Sequence, residues 1–147
     1  MQISLYNVPK NLSADKLKSA AKFFAETLMS RRLCDNLKVW VCFTKTEGNT
    51  TMWEDDNVRP REFTITIEKG MGMRNTLITL AHEMVHVKQY ATGELRDYMS
   101  SARVQRWRNV KRDWQDVEYW DLPWEIEAYG REKGLYYKFQ RFNKNNP

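Results

Sequence analysis

In the first part of the chain, apolar positions return every third or fourth residue. Leu17, Ala21, Phe24 and Leu28 form such a stripe, with Ser13 placed to cap it and Asp15 in its first turn, which predicts a helix to about residue 33. The pattern then switches to alternation. Val39, Val41 and Phe43 share one face of a strand over 38–43. Phe63, Ile65 and Ile67 share one face of a strand over 62–68, with Thr64 and Thr66 outward. Residues 45–50 read as a turn, 51–54 as a short strand, and 2–6 as an N-terminal strand that joins the sheet. Gly70 and Gly72 turn the chain into a second helix, and their GxG is too short to cradle a phosphate.

That helix repeats Leu77, Leu80, Ala81, Met84 and Val87 on one buried stripe. Ile78, His82, Val85, His86 and Gln89 lie on the neighbouring face. Asn75 is the predicted N-cap and Gly93 the stop. The connection over 94–121 is too long and too aromatic for bare loop, and predicts short strands or turns around Tyr98, Trp107, Trp114 and Trp120. Asp121 and Pro123 then read as the start of a last helix, weakened by Gly130 and Gly134 and ending in the mid-130s. Residues 143–147 read as a frayed tail. The order of helix, strands, helix, connection and helix is an α+β layout, a small mixed sheet packed on the first two helices.

The motif helix carries the chemistry. The chain has two histidines, both in the run His82-Glu83-Met84-Val85-His86. Residues four apart on a helix share a face, so both imidazoles can approach one metal ion from one side. Glu83, one residue from His82, points away from that shared direction but can reach a water on the metal as general base. No histidine remains for a third ligand. Cys34 and Cys42 have no metal-site spacing and read as small buried hydrophobes. A downstream carboxylate is left, and the stretch from Asp121 to Tyr129 supplies two. Glu127 has Arg131 four residues on, a surface ion-pair spacing, whereas Glu125 has no basic partner there and lies among apolar residues that leave its charge in want of a cation. Glu125 is the first choice and Glu127 the alternative. Asp116, Asp121 or a backbone carbonyl would orient the histidines through their second nitrogens, and Gln89 would hydrogen-bond near the site or to substrate. Tyr119 or Tyr129 is the expected oxyanion donor.

With His82-Glu83-Met84-Val85-His86-Val87-Lys88-Gln89 followed by Glu125-Ile126-Glu127-Ala128, the chain resembles the gluzincin side of the zincin metallopeptidases over about residues 60–135. It is similar to small zincin-like proteins of bacteria and phages that carry HExxHxxQ. It partly resembles the SprT-like proteases, without their third histidine or four-cysteine ribbon. The resemblance implies one zincin-like domain over 1–147 and hydrolysis of peptide bonds in a peptide or protein substrate. Zn2+ would be held by His82, His86 and Glu125, and Glu83 would take the proton of the zinc-activated water. It also implies that the strand before the motif helix, residues 61–68, rims the cleft with an unpaired edge.

Composition narrows the rest. Hydrophobic residues make up 41% of the 147 and aromatics 13%, enough for a core and against global disorder. No apolar run has membrane length and MQISLYNVPK lacks a signal-peptide core, so a cytoplasmic location is expected, in the host if the chain is viral. The net charge is +5, and Arg103, Arg106, Arg108, Lys111 and Arg112 form a run with Trp107 inside it. That run could grip nucleic acid, but the favoured reading is that it pairs with the acids that follow it over 113–127 or is simply solvated. Two non-peptidase readings therefore stand beside the first: a zinc-binding regulatory protein without turnover, and a nucleic-acid-associated module. Oligomeric state leaves no mark on the sequence.

Overall fold

The computed structural model describes residues 1–45, 49–52, 59–98 and 100–146. The chain begins with strand β1 (Gln2–Tyr6), helices α1 (Ala14–Leu28) and α2 (Arg31–Asp35), and strands β2 (Lys38–Thr44), β3 (Asn49–Met52) and β4 (Glu62–Glu68). The four strands form one sheet in the order β1-β2-β4-β3, parallel except for β3. Val39, Val41 and Phe43 alternate inward on β2, and Phe63, Ile65 and Ile67 on β4, as the period of two predicts. Ser13 caps α1 through its hydroxyl, which accepts the Lys16 N–H at 3.3 Å.

The first helix does not run on to residue 33. Its backbone turns extended at Met29 and Ser30, and the Ser30 hydroxyl accepts the Leu33 N–H to start a separate short helix. Nor does β4 offer an open edge for substrate, because it is hydrogen-bonded to β2 on one side and β3 on the other; the antiparallel edge strand is β3. The turn and strand expected over 45–54 fall partly on residues outside those described.

Gly70, at φ 98°, makes the turn into helix α3 (Met73–Ala91). The N-cap is Gly72, whose carbonyl accepts the Thr76 N–H at 3.0 Å, so Asn75 lies inside the first turn rather than before it. Gly93, at φ 79°, closes the other end as expected, with its N–H on the Tyr90 carbonyl. Leu77, Leu80, Ala81, Met84 and Val87 are fully buried in the core against the sheet and α1.

The aromatic connection is a second, antiparallel sheet of β5 (Leu95–Tyr98), β6 (Ser101–Trp107) and β7 (Val110–Asp113). Trp107 and Trp114 hold it to the main body by packing on Trp124, at ring distances of 6.1 and 5.2 Å. The basic run pairs in part with the acids that follow, Arg103 with Asp113 at 3.2 Å and Arg112 with Asp116 at 2.7 Å. A 3-10 turn (Tyr119–Asp121) leads into helix α4 (Pro123–Asn145), which has Pro123 in its first turn.

Helix α4 does not stop in the mid-130s, and 143–145 belong to it rather than to a frayed tail. Its second half buries Leu135 and Phe139, the latter against Phe24 and Phe23 of α1 at 5.8 and 5.6 Å. Burying two such side chains is worth roughly 1.5–3 kcal/mol each. That outweighs the cost of Gly130 and Gly134, about 1 kcal/mol each in a helix interior. Helices α1, α3 and α4 thus share one core, and α4 runs along α3 with its first turns beside the histidines. Among the described residues, no helix is long and apolar enough to cross a membrane.

Candidate metal centre

His82 and His86 project from the middle of α3 toward the first turns of α4, where Glu125 projects back. All three are buried, at 7%, 8% and 9% exposure, so they stop just short of full closure. His82 Nε2 and His86 Nε2 are 3.2 Å apart. Glu125 Oε2 is 3.3 Å from the first and Oε1 is 3.4 Å from the second. Donor atoms about 2.0–2.1 Å from a tetrahedral centre stand about 3.3 Å from one another, so the two nitrogens fit two corners of one small coordination sphere, and the Glu125 carboxylate, one oxygen facing each nitrogen, lies at the third. His82, His86 and Glu125 could hold a metal ion, and they are the one such group among the described residues.

The outer nitrogens of both rings are already committed. His82 Nδ1 lies 3.0 Å from Glu132 Oε2, and a carboxylate can only accept. His86 Nδ1 lies 2.8 Å from Gln89 Oε1. The orientation of Gln89 is forced, because its amide nitrogen donates to the Trp124 carbonyl at 2.9 Å and to Glu127 Oε1 at 3.1 Å. Both Nδ1 atoms therefore carry a proton, so a neutral ring turns its Nε2 lone pair toward Glu125 and only a doubly protonated ring donates to it from Nε2. Electron-rich atoms from three side chains converging in a buried place require a positive charge, either a proton or a cation.

Electrostatics agree. Burial pushes the Glu125 carboxyl up, but hydrogen bonds from His82 and then His86 outweigh it and hold its pKa at about 2. Burial also opposes a charge on His86, yet the hydrogen bond and charge of Glu125 prevail and the pKa of His86 is raised. In the cation-free protein, a proton on His86 survives to higher pH than on a free imidazole. A divalent cation must displace it, so proton and metal compete. The increase in Tm on adding zinc is accordingly expected to be larger at pH 8 than at pH 5.5, because at low pH His86 keeps its proton and excludes the metal. Thermal melts with and without one equivalent of zinc check this; equal shifts at both pH values would contradict it.

Of the two carboxylates on α4, it is Glu125 that reaches the histidines. Glu127 turns the other way, to Lys88 Nζ at 3.1 Å and to Gln89. Lys88, with a further contact to Glu94 at 2.7 Å, takes the place expected of Arg131. Tyr119 and Tyr129 both stand at the rim. The Tyr119 hydroxyl donates to Glu125 Oε2 at 2.9 Å and lies 3.3 Å from that of Tyr129, whose ring packs 4.4 Å from His82. Burial and then the bond to Tyr129 raise the pKa of Tyr119, so it keeps its proton. Glu83 is buried on α3, and its charge is among those that raise His86. Cys34 is buried and Cys42 half-buried, and both are free thiols outside the group.

Asp116 and Asp121 are not the orienting groups. Asp116 is spent on Arg112, and Asp121 is exposed in the 3-10 turn. The residue that orients His82 is Glu132, which the sequence reading missed. Its signal was its spacing: Glu132 follows Glu125 by two helical turns, on the same face of α4. Gln89 orients His86. Gln89→Leu is expected to weaken zinc binding by about 10–100-fold, since it frees the His86 tautomer. Titration against a competing chelator measures this, and an unchanged affinity would contradict the assignment.

The chain matches no protein-family model, no curated protein and no solved structure.

Proposed function

We propose that this chain is a zinc-dependent metallopeptidase built as one zincin-like domain. The observation that carries the reading is the triangle of two Nε2 atoms and one carboxylate, at 3.2, 3.3 and 3.4 Å, with Glu83 next to His82 in sequence. Two imidazoles and a carboxylate suit zinc, and three protein ligands rather than four match the sites that keep a position for chemistry. A zinc ion bound there supplies a Lewis acid that acidifies water and polarises a carbonyl.

The chain's own groups supply the rest. Glu83 accepts a proton from the attacking water as its oxygen bonds to the carbonyl carbon. It then delivers that proton to the amide nitrogen as the carbon–nitrogen bond breaks, leaving a carboxylate and an amine. Tyr119 and Tyr129 stand at the mouth with 48% and 40% exposure, able to donate to the developing oxyanion from the solvent side. His82 and His86 are held against rotation by Glu132 and Gln89, so the site needs little reorganisation on binding.

The test is cleavage of an unfolded protein such as casein by the purified, zinc-supplemented chain, read as new amino termini. Cleavage that a chelator stops and zinc restores supports the peptidase. A cation retained at one per chain with no cleavage of any unfolded substrate would leave a zinc-binding protein without turnover.

A further inference from the structure

We propose that the outer face of the β5-β6-β7 sheet binds the phosphate backbone of a nucleic-acid duplex. The proposal goes beyond the peptidase reading and does not depend on it. Strand register pairs Arg96 with Arg106 and Arg106 with Lys111, so three bases stand in one row across three strands. Neighbouring strands are about 4.8 Å apart, which gives the row a span of about 10 Å. Like charges directly opposite one another destabilise a sheet. Among the described residues, no carboxylate ion-pairs with Arg96, Arg106 or Lys111, whereas the nearby Arg103 and Arg112 are neutralised by Asp113 and Asp116. Asp97, the acid of β5, is held by the Tyr90 hydroxyl and Gln105. The row is a repulsive arrangement that no carboxylate neutralises among the described residues, and an array of phosphates supplies the missing negative charge.

The chemistry separates this occupant from others. Two of the three groups are guanidiniums, whose planar forks match phosphate oxygens. A membrane surface fits poorly, because the exposed Val110 is paired with Trp107 and so lies on the opposite face from the row. A single strand would want a free aromatic platform. Tyr98, the ring beside the row, is already engaged by Arg96 at 4.8 Å and Lys111 at 4.1 Å. What the face offers is positive charge at fixed spacing, the requirement of backbone contact.

Fluorescence anisotropy with a labelled DNA duplex of about 20 base pairs tests the proposal on the full chain. The variant R106Q/K111Q is compared with K10Q/K18Q, which removes the same charge from exposed positions in the N-terminal loop and α1. At about 0.1 M salt, R106Q/K111Q should bind at least ~10-fold more weakly, and its log–log salt slope should fall by about two. K10Q/K18Q should stay within about threefold of wild type. R106Q/K111Q should also melt no lower than wild type, since it relieves the cross-strand repulsion. Three results would each overturn the proposal: no duplex binding by wild type below ~100 µM, equal loss in both variants, or displacement of the duplex by polyglutamate as effective as by unlabelled duplex, which would point to an acidic protein partner.

Discussion

Glu83→Gln is expected to leave zinc bound at wild-type affinity and to lower peptide hydrolysis by about 10³-fold. The two halves of that outcome come from different atoms. The histidine nitrogens and the Glu125 oxygens form the coordination triangle without Glu83, so its replacement by an isosteric amide subtracts no ligand. Under the peptidase reading it subtracts the acceptance and return of a proton, and general-base groups contribute about 10²–10⁴-fold. Glutamine also keeps the volume of a buried side chain, so the fold should survive. Steady-state cleavage of a quenched peptide, measured beside zinc titration of the same preparation, gives both numbers. A variant with full activity would remove Glu83 from the chemistry. A variant that loses zinc in proportion to activity would make Glu83 a support of the site and not its base.

The second large effect separates the two carboxylates on α4. Glu125→Ala is expected to weaken zinc binding by about 10²–10³-fold. Four-ligand zinc sites have apparent binding energies of about 10–16 kcal/mol, hence roughly 3 kcal/mol for each ligand. Glu127→Ala should weaken it by less than about tenfold, because Glu127 touches Lys88 and Gln89 and acts on the site only through the Gln89 amide. A chelator competition assay on both variants reads the ratio. Equal losses, or a larger loss for Glu127→Ala, would mean that the histidines face a different partner from the one their geometry indicates.

The parts of this fold legible in the sequence were those governed by a strict period. Val39, Val41, Phe43, Phe63, Ile65 and Ile67 alternate, and each is buried as that alternation requires. The histidine pair was readable because four residues make one helical turn, and Glu125 because apolar neighbours leave a carboxylate in want of a partner. Where contacts from distant segments decide, the sequence misled. Helix α4 outruns two glycines because Phe139 finds Phe23 and Phe24, about 115 residues away in sequence. The split between α1 and α2 is instead a local choice, one serine hydroxyl taking a backbone N–H three residues on. Strand β4 reads the same from sequence whether it lies at an edge or inside a sheet, since alternation reports only which face is buried. Glu132 was overlooked because a glutamate two turns beyond a ligand resembles any solvated helix residue until His82 is placed opposite.

Metal analysis of the purified chain, beside His82→Ala prepared in parallel, decides whether His82, His86 and Glu125 together hold one divalent cation. Close to one zinc per chain is expected, removed by chelator and rebound on addition, with less than about a tenth as much in His82→Ala at the same free zinc concentration. Equal zinc in both proteins, or a folded wild-type chain that takes up none at neutral pH, would contradict it.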